Sequence, residues 1–99
     1  MNPRARILRR AALEIEAADT WWRVHRADVP DALADELRAA LARITELPGL
    51  GTLVTGVGPG DNRRLLLRMC GYHLYYRLRG DVVEVLRFWH TSRGRPPRL

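Results

Sequence analysis

The stretch CGYHLYYRLRGDVVEVLRFWH, residues 70–90, constrains the fold more than any other part of this chain. Two runs of alternating side chains meet at Gly80-Asp81, and alternation marks strands because successive side chains leave a strand on opposite faces. A two-residue turn containing glycine suits a β-hairpin, where positive φ is needed. Cys70-Gly71 offers a second such turn, so strands are predicted over 63–69, 72–79 and 82–90. Two-residue turns fix a register. Across Gly80-Asp81, Leu78 pairs with Val83, Arg77 with Glu84, Tyr76 with Val85 and Tyr75 with Leu86. Across Cys70-Gly71, Leu67 pairs with Leu74, Leu66 with Tyr75, Leu65 with Tyr76 and Arg64 with Arg77. One face then collects Leu65, Leu67, Met69, Tyr72, Leu74, Tyr76, Leu78, Val83 and Val85, a core. The other collects Arg64, Leu66, Arg68, His73, Tyr75, Arg77, Arg79, Glu84, Leu86 and Phe88, with nothing predicted to cover it. A slip of one residue would invert a strand.

The core face needs a partner, and the first half of the chain supplies it. From Ala11, Ile15, Ala18, Trp22 and His25 recur at helical spacing, as do Leu13, Ala17, Trp21 and Val24. A helix apolar on two adjacent stripes is expected to be substantially buried. ADVPD ends it: Pro30 suits the first turn of a second helix, with Asp28 as the candidate N-cap and Asp31 complementing the dipole. That helix carries Leu33, Leu37, Ala40, Leu41, Ile44 and Leu47 on one face, and Pro48-Gly49 stops it. A short connection makes the two an antiparallel hairpin. RARILRR at 4–10 is a candidate N-terminal strand, and 52–55 a brief one before the glycine-rich loop GVGPGDN. The expected fold is α+β, a single domain over 1–99, with a helical hairpin on a twisted antiparallel sheet of three to four strands.

The 17 basic residues are all arginine, and their distribution is uneven. Residues 1–10 carry +4, residues 11–50 carry −4 and residues 51–99 carry +6. Such flanks favour encounters with polyanions or an acidic partner. No apolar run approaches the ~20 residues of a membrane span. Glu14, Glu16 and Asp19 interrupt what would be the apolar core of a signal peptide, so a cytoplasmic protein without a membrane partner is expected. A lone Cys70 cannot form an internal disulfide or a thiolate metal site.

Arg64, Arg68 and Arg77 on one sheet face have two readings: a solvated surface, or convergence on a phosphate or carboxylate with Tyr75, Leu66 and Phe88 between them. His25, at a helix C-terminus, is structural. His73 and His90 share a parity, and with Tyr75 and the arginines could supply the acid, base and cations of RNA cleavage. No carboxylate or thiolate cluster accompanies them, so no metal and no cofactor is predicted. GVGPG lacks the strand-to-helix setting of a nucleotide loop.

The segments AALEIEAADTWWRVHR, ALADELRAALARITELPGLG, RRLLLRMCGYHLYYRLRGDVVEVLRFWH and the trailing HTSRGR resemble toxins of the bacterial RelE/ParE superfamily, from type II toxin–antitoxin modules. The resemblance implies growth inhibition, plasmid stabilisation, and a toxin held by a cognate acidic antitoxin in a hetero-oligomer. Members similar to RelE cleave messenger RNA on the ribosome with basic residues of the sheet face. Of that branch's Lys-x-Lys pair, Arg64 keeps one basic group and Leu66 loses the other. The arginine after Gly-Tyr becomes His73, the late basic residue is Arg93, and the C-terminal tyrosine is absent. On that reading Arg64, His73, Arg77, His90 and Arg93 would be catalytic. Members similar to ParE poison DNA gyrase without catalysis, and LRFWHTSR lies closer to them. That branch is favoured, with Arg64, Arg68, His73, Tyr75, Arg77 and Arg93 as the target- or antitoxin-binding surface. A nucleic-acid-binding module without toxicity is the third reading.

Overall fold

A computed structural model describes residues 4–99. Strand β1 (Arg4–Ile7) leads into helix α1 (Arg9–His25) and helix α2 (Ala32–Glu46). A single 3-10 turn at Pro48–Leu50 is followed by β2 (Thr52–Val54), β3 (Asn62–Leu67), β4 (Tyr72–Arg79) and β5 (Val82–His90). The strands form one sheet in the order β1-β5-β4-β3-β2. The α+β architecture is the expected one. The sheet has five strands rather than three or four, and it is mixed, because β1 runs parallel to β5.

The helical hairpin lies on one face of the sheet. In α1 the stripe that turns inward is Ala11, Ile15, Ala18 and Trp22, and in α2 it is Leu33, Leu37, Ala40 and Ile44. Both follow the +4, +3, +4 spacing that lines one side of a helix. They meet Leu67, Leu74, Tyr76, Val83, Val85 and Phe88 from the sheet. Full burial of a large aliphatic side chain here is worth about 1.5–3 kcal/mol. The second stripe of α1 stays outside: Leu13 is 57 %, Trp21 54 % and Val24 70 % exposed. Two small layers cannot enclose a helix on both stripes, so the expectation of a largely buried α1 fails for that half.

Between the helices, Trp22 Nε1 donates to the Val29 carbonyl at 2.9 Å. The residue preceding α2 is Asp31, not Asp28, and its carboxylate accepts from Arg23 at 2.9 Å rather than from a backbone N–H of its own helix. At the far end of α2, the buried Tyr76 hydroxyl donates to the Pro48 carbonyl (2.8 Å) and accepts from Gly51 N–H (2.7 Å). A Cβ on Gly51 would come within 2.6 Å of that hydroxyl, so only glycine fits.

Two features of the strands correct the expected register. The β3–β4 connection is four residues, Arg68–Gly71, with Gly71 at φ +77° and its N–H on the Leu67 carbonyl at 2.9 Å. Pairing therefore moves by two residues: Leu67 faces Tyr72, Leu65 faces Leu74 and Arg64 faces Tyr75. A shift of two preserves which face each side chain takes. It does abolish the Arg64–Arg77 neighbours, since Arg77 stands opposite Asn62. Met69, expected in the core, is in that turn and 52 % exposed.

In β5 the pairing jumps from Tyr76↔Val85 to Tyr75↔Arg87, which leaves Leu86 as an extra, bulged residue. Beyond the bulge the faces exchange. Phe88 turns to the helical core and stacks on Tyr72 at 4.4 Å, and Trp89 takes the opposite face. The predicted Tyr75–Leu86 pair and the placing of Phe88 on the basic face are both overturned by this one residue.

The β3–β4 turn is held from a distance. Glu36 on α2 accepts the backbone N–H groups of Met69 and Cys70, both at 2.9 Å. Burial, with Glu36 beside it, pushes the Cys70 thiol from about 9 up to about 12. At pH 8 the native chain should resist iodoacetamide while the urea-unfolded chain reacts, a difference readable by mass spectrometry. Because folding raises this acid's pKa, the folded state binds more protons above pH 9. That contribution to stability is complete below the unfolded value and falls as pH rises toward 12.

Candidate functional site

The helix-free face of the sheet is less open than its sequence implies, because the chain after β5 folds back across it. Trp89 Nε1 donates to the Arg95 carbonyl (2.8 Å), Arg87 Nη1 to the Arg98 carbonyl (2.7 Å), and Leu99 N–H to the Val57 carbonyl (2.6 Å). Tyr75, Leu86 and Trp89 form a second buried cluster there, flanked by Leu8, Val54 and Leu99. Tyr75, expected as a contact residue, is 1 % exposed.

The other predicted site residues divide into groups. Arg64, His73 and His90 line one cavity of about 210 Å³, together with Tyr75, Trp89, Thr91 and Arg95. Burial, then the positive charge of Arg64, lowers the His73 pKa below its ordinary value, so the imidazole is neutral at pH 7. Arg77 is occupied elsewhere: its Nε donates to Glu84 at 2.8 Å, and Arg79 approaches the same oxygen at 3.2 Å. The Arg77 hydrogen bond holds Glu84 below the usual carboxylate range. Arg68 projects from the β3–β4 turn and is exposed. Arg93 lies over the Trp89 ring, 3.9 Å from its centroid.

His90 borders the same cavity as His73 but is not its cross-strand neighbour. Cross-strand partners share a face, and His73 is paired with Trp89 whereas His90 is paired with Tyr72. The bulge at Leu86 thus gives the two residues different cross-strand settings, although both border the cavity. His90 Nδ1 instead accepts from Ser92 N–H at 3.1 Å and caps the 3-10 turn Thr91–Arg93.

A second surface comes from the exposed stripe of α1. Leu13, Ala17, Trp21, Val24 and His25 line a shallow apolar groove, with the Trp21 and His25 rings stacked at 4.2 Å. An adjoining groove continues from Leu13 and Trp21 to Tyr72, Phe88, His90 and Arg93. Contiguous exposed apolar surface of this kind marks protein interfaces. The sequence held the signal in its two helical stripes, but read both as core. Arg95 and Glu36 were not singled out at all, since what they do depends on segments far away in the chain.

The molecule is thus a small α+β protein with a basic, partly covered sheet face and an apolar helix face. A family profile described as ParE toxin of type II toxin-antitoxin system, parDE, matches residues 5–95. This chain belongs to the ParE toxin family of type II toxin–antitoxin systems. Among solved structures it is similar to one titled chromosomal ParDE TA system from P. aeruginosa, with a TM-score of 0.71 and 18% identity, covering 89% of this chain and 95% of that one. No protein of curated function matches the sequence. Among the described residues no helix is long and apolar enough to cross a membrane.

Proposed function

We propose that this toxin inhibits DNA gyrase by binding, without catalysing a reaction, and is neutralised by a cognate acidic antitoxin that orders as it binds. The observation that carries the first half is the match of residues 5–95 to the ParE toxin family, whose branch the sequence resemblance associates with gyrase poisoning rather than catalysis. RNA cleavage needs a base and an acid at one phosphate, and although His73 and His90 border the same cavity, His90 Nδ1 is already engaged by Ser92. The LRFWHTSR segment, closer to the ParE-like members, agrees. The antitoxin half is supported by the exposed Leu13, Trp21 and Val24 stripe on a chain of net charge +6. An amphipathic acidic segment fits such a surface, and folding on binding lets it cover the groove. The similar structure, a ParDE toxin–antitoxin system, makes a cognate partner the natural expectation.

Induction in a bacterial host tests the target. Growth arrest with DNA-damage signalling and no codon-positioned mRNA cuts is the expected result, and such cuts appearing within minutes would refute it. Co-purification with the protein encoded beside it tests the partner. Trp21→Glu should weaken that capture roughly 30-fold or more, the scale of a tryptophan hot spot, while the growth arrest persists. Capture unaffected by Trp21→Glu would move the antitoxin seat off α1.

A further inference from the structure

The cavity of about 210 Å³ on the helix-free face gathers donors from three parts of the chain: Arg64 on β3, His73 and Tyr75 on β4, and Arg95 beyond β5. Thr91 adds a hydroxyl to the wall, and no carboxylate lines it. Among the described residues, side-chain ion pairs engage five of the 17 arginines, and Arg64 and Arg95 are among the twelve that have none. Tyr75 is almost wholly buried as a residue and borders the cavity. Arg95 does not trail in solvent, because its carbonyl is held by Trp89 Nε1. The chain therefore places two uncompensated guanidinium groups and neutral donors around one space.

The geometry points to a phosphate-binding site here, built by Arg64, His73, Tyr75 and Arg95 and suited to the phosphate ester of a nucleotide or of a nucleic-acid strand. Phosphate is favoured over carboxylate by the donors themselves. Guanidinium forks contributed by different chain segments, with a hydroxyl and an imidazole N–H, exceed what the two coplanar oxygens of a carboxylate accept. They match a tetrahedral group with acceptors in every direction. The proposal is independent of the gyrase reading, since neither target nor antitoxin enters it.

The test is a titration of the whole chain with inorganic phosphate at constant ionic strength, followed through the His73 imidazole resonances. A saturable shift is expected, with the His73 pKa moving upward as the anion offsets Arg64. Chloride at the same ionic strength should produce none. Arg64→Ala and Arg95→Ala should each weaken binding roughly tenfold or more, the loss of a charge-assisted bond, with unchanged thermal melts. Thymidine 5′-monophosphate and the dinucleotide TpT then separate the sources. Tighter binding of the first assigns a terminal phosphate, and of the second a strand backbone. No shift at His73, a shift that survives in both arginine variants, or acetate binding as tightly as phosphate would each overturn the site. Should Arg64→Ala fail to fold, Arg95→Ala, at an exposed position, decides alone.

Discussion

Leu74→Ala should lower the stability of this chain by about 3–5 kcal/mol. Leu74 is fully buried, at 0 % exposure, in the cluster that joins the sheet to both helices. It stands at the centre of β4, paired with Leu65 on one side and Phe88 on the other. Truncation there opens a cavity that neighbouring strands, fixed by their ladders, cannot collapse to fill. For a domain of this size each kcal/mol moves the melting temperature by roughly 4–8 °C, so a fall of at least about 12 °C is expected by circular dichroism. Arg68→Ala, at an exposed turn position, should stay within about 0.5 kcal/mol of the parent. A Leu74 variant that melts with the parent would mean the helices do not rest on this face.

Glu14→Ala should cost about 3–5 kcal/mol, as the loss of one partner of a largely buried ion pair does. Arg87 Nε donates to both Glu14 oxygens (3.0 and 3.2 Å), Nη2 adds a bond of 2.8 Å, and Phe88 N–H donates at 3.0 Å. The two side chains are only 11 % and 18 % exposed. Without Glu14, the Arg87 guanidinium keeps the Arg98 carbonyl and the Trp89 ring, and Phe88 N–H loses its acceptor. Glu14→Gln restores an acceptor for the backbone and should recover part of the loss. A double-mutant cycle with Arg87→Ala, measured by urea unfolding, should give a coupling above about 1 kcal/mol. Additive single effects would show that the fork contributes little.

Glu14 also shows where reading the sequence stops. Its charge counted only as an interruption of an apolar run, because the partner that gives it a purpose lies at Arg87, on the last strand. Local chemistry was legible: Gly80-Asp81 closes its hairpin in the expected register, with Gly80 at φ +60°. The β3–β4 turn was not, since its length is stabilised by Glu36 from another element. Periodicity found both stripes of α1 but cannot rank them, and only the assembled layers decide that Trp22 goes in and Trp21 stays out. In the candidate site, parity brought Arg64 and His73 to one face correctly. It could not foresee the bulge that changes the cross-strand partner of His90, or the fold-back that buries Tyr75 and delivers Arg95.

The parallel pairing of β1 with β5 has a consequence for how the molecule comes to exist. Arg4 meets Val82, so the first strand waits for the last. Closing so long a loop costs entropy before any ladder bond returns it, and contacts of this separation slow folding from the microsecond range of helical bundles toward milliseconds or longer. On the ribosome the effect is sharper. Strand β5 sits between β1 and β4, and until it has left the exit tunnel β1 has no neighbour and α1 lacks the sheet on which its inner stripe rests. Everything through β5 must therefore be released before the fold can close, and until then the nascent molecule lacks the surface on which its activity would depend.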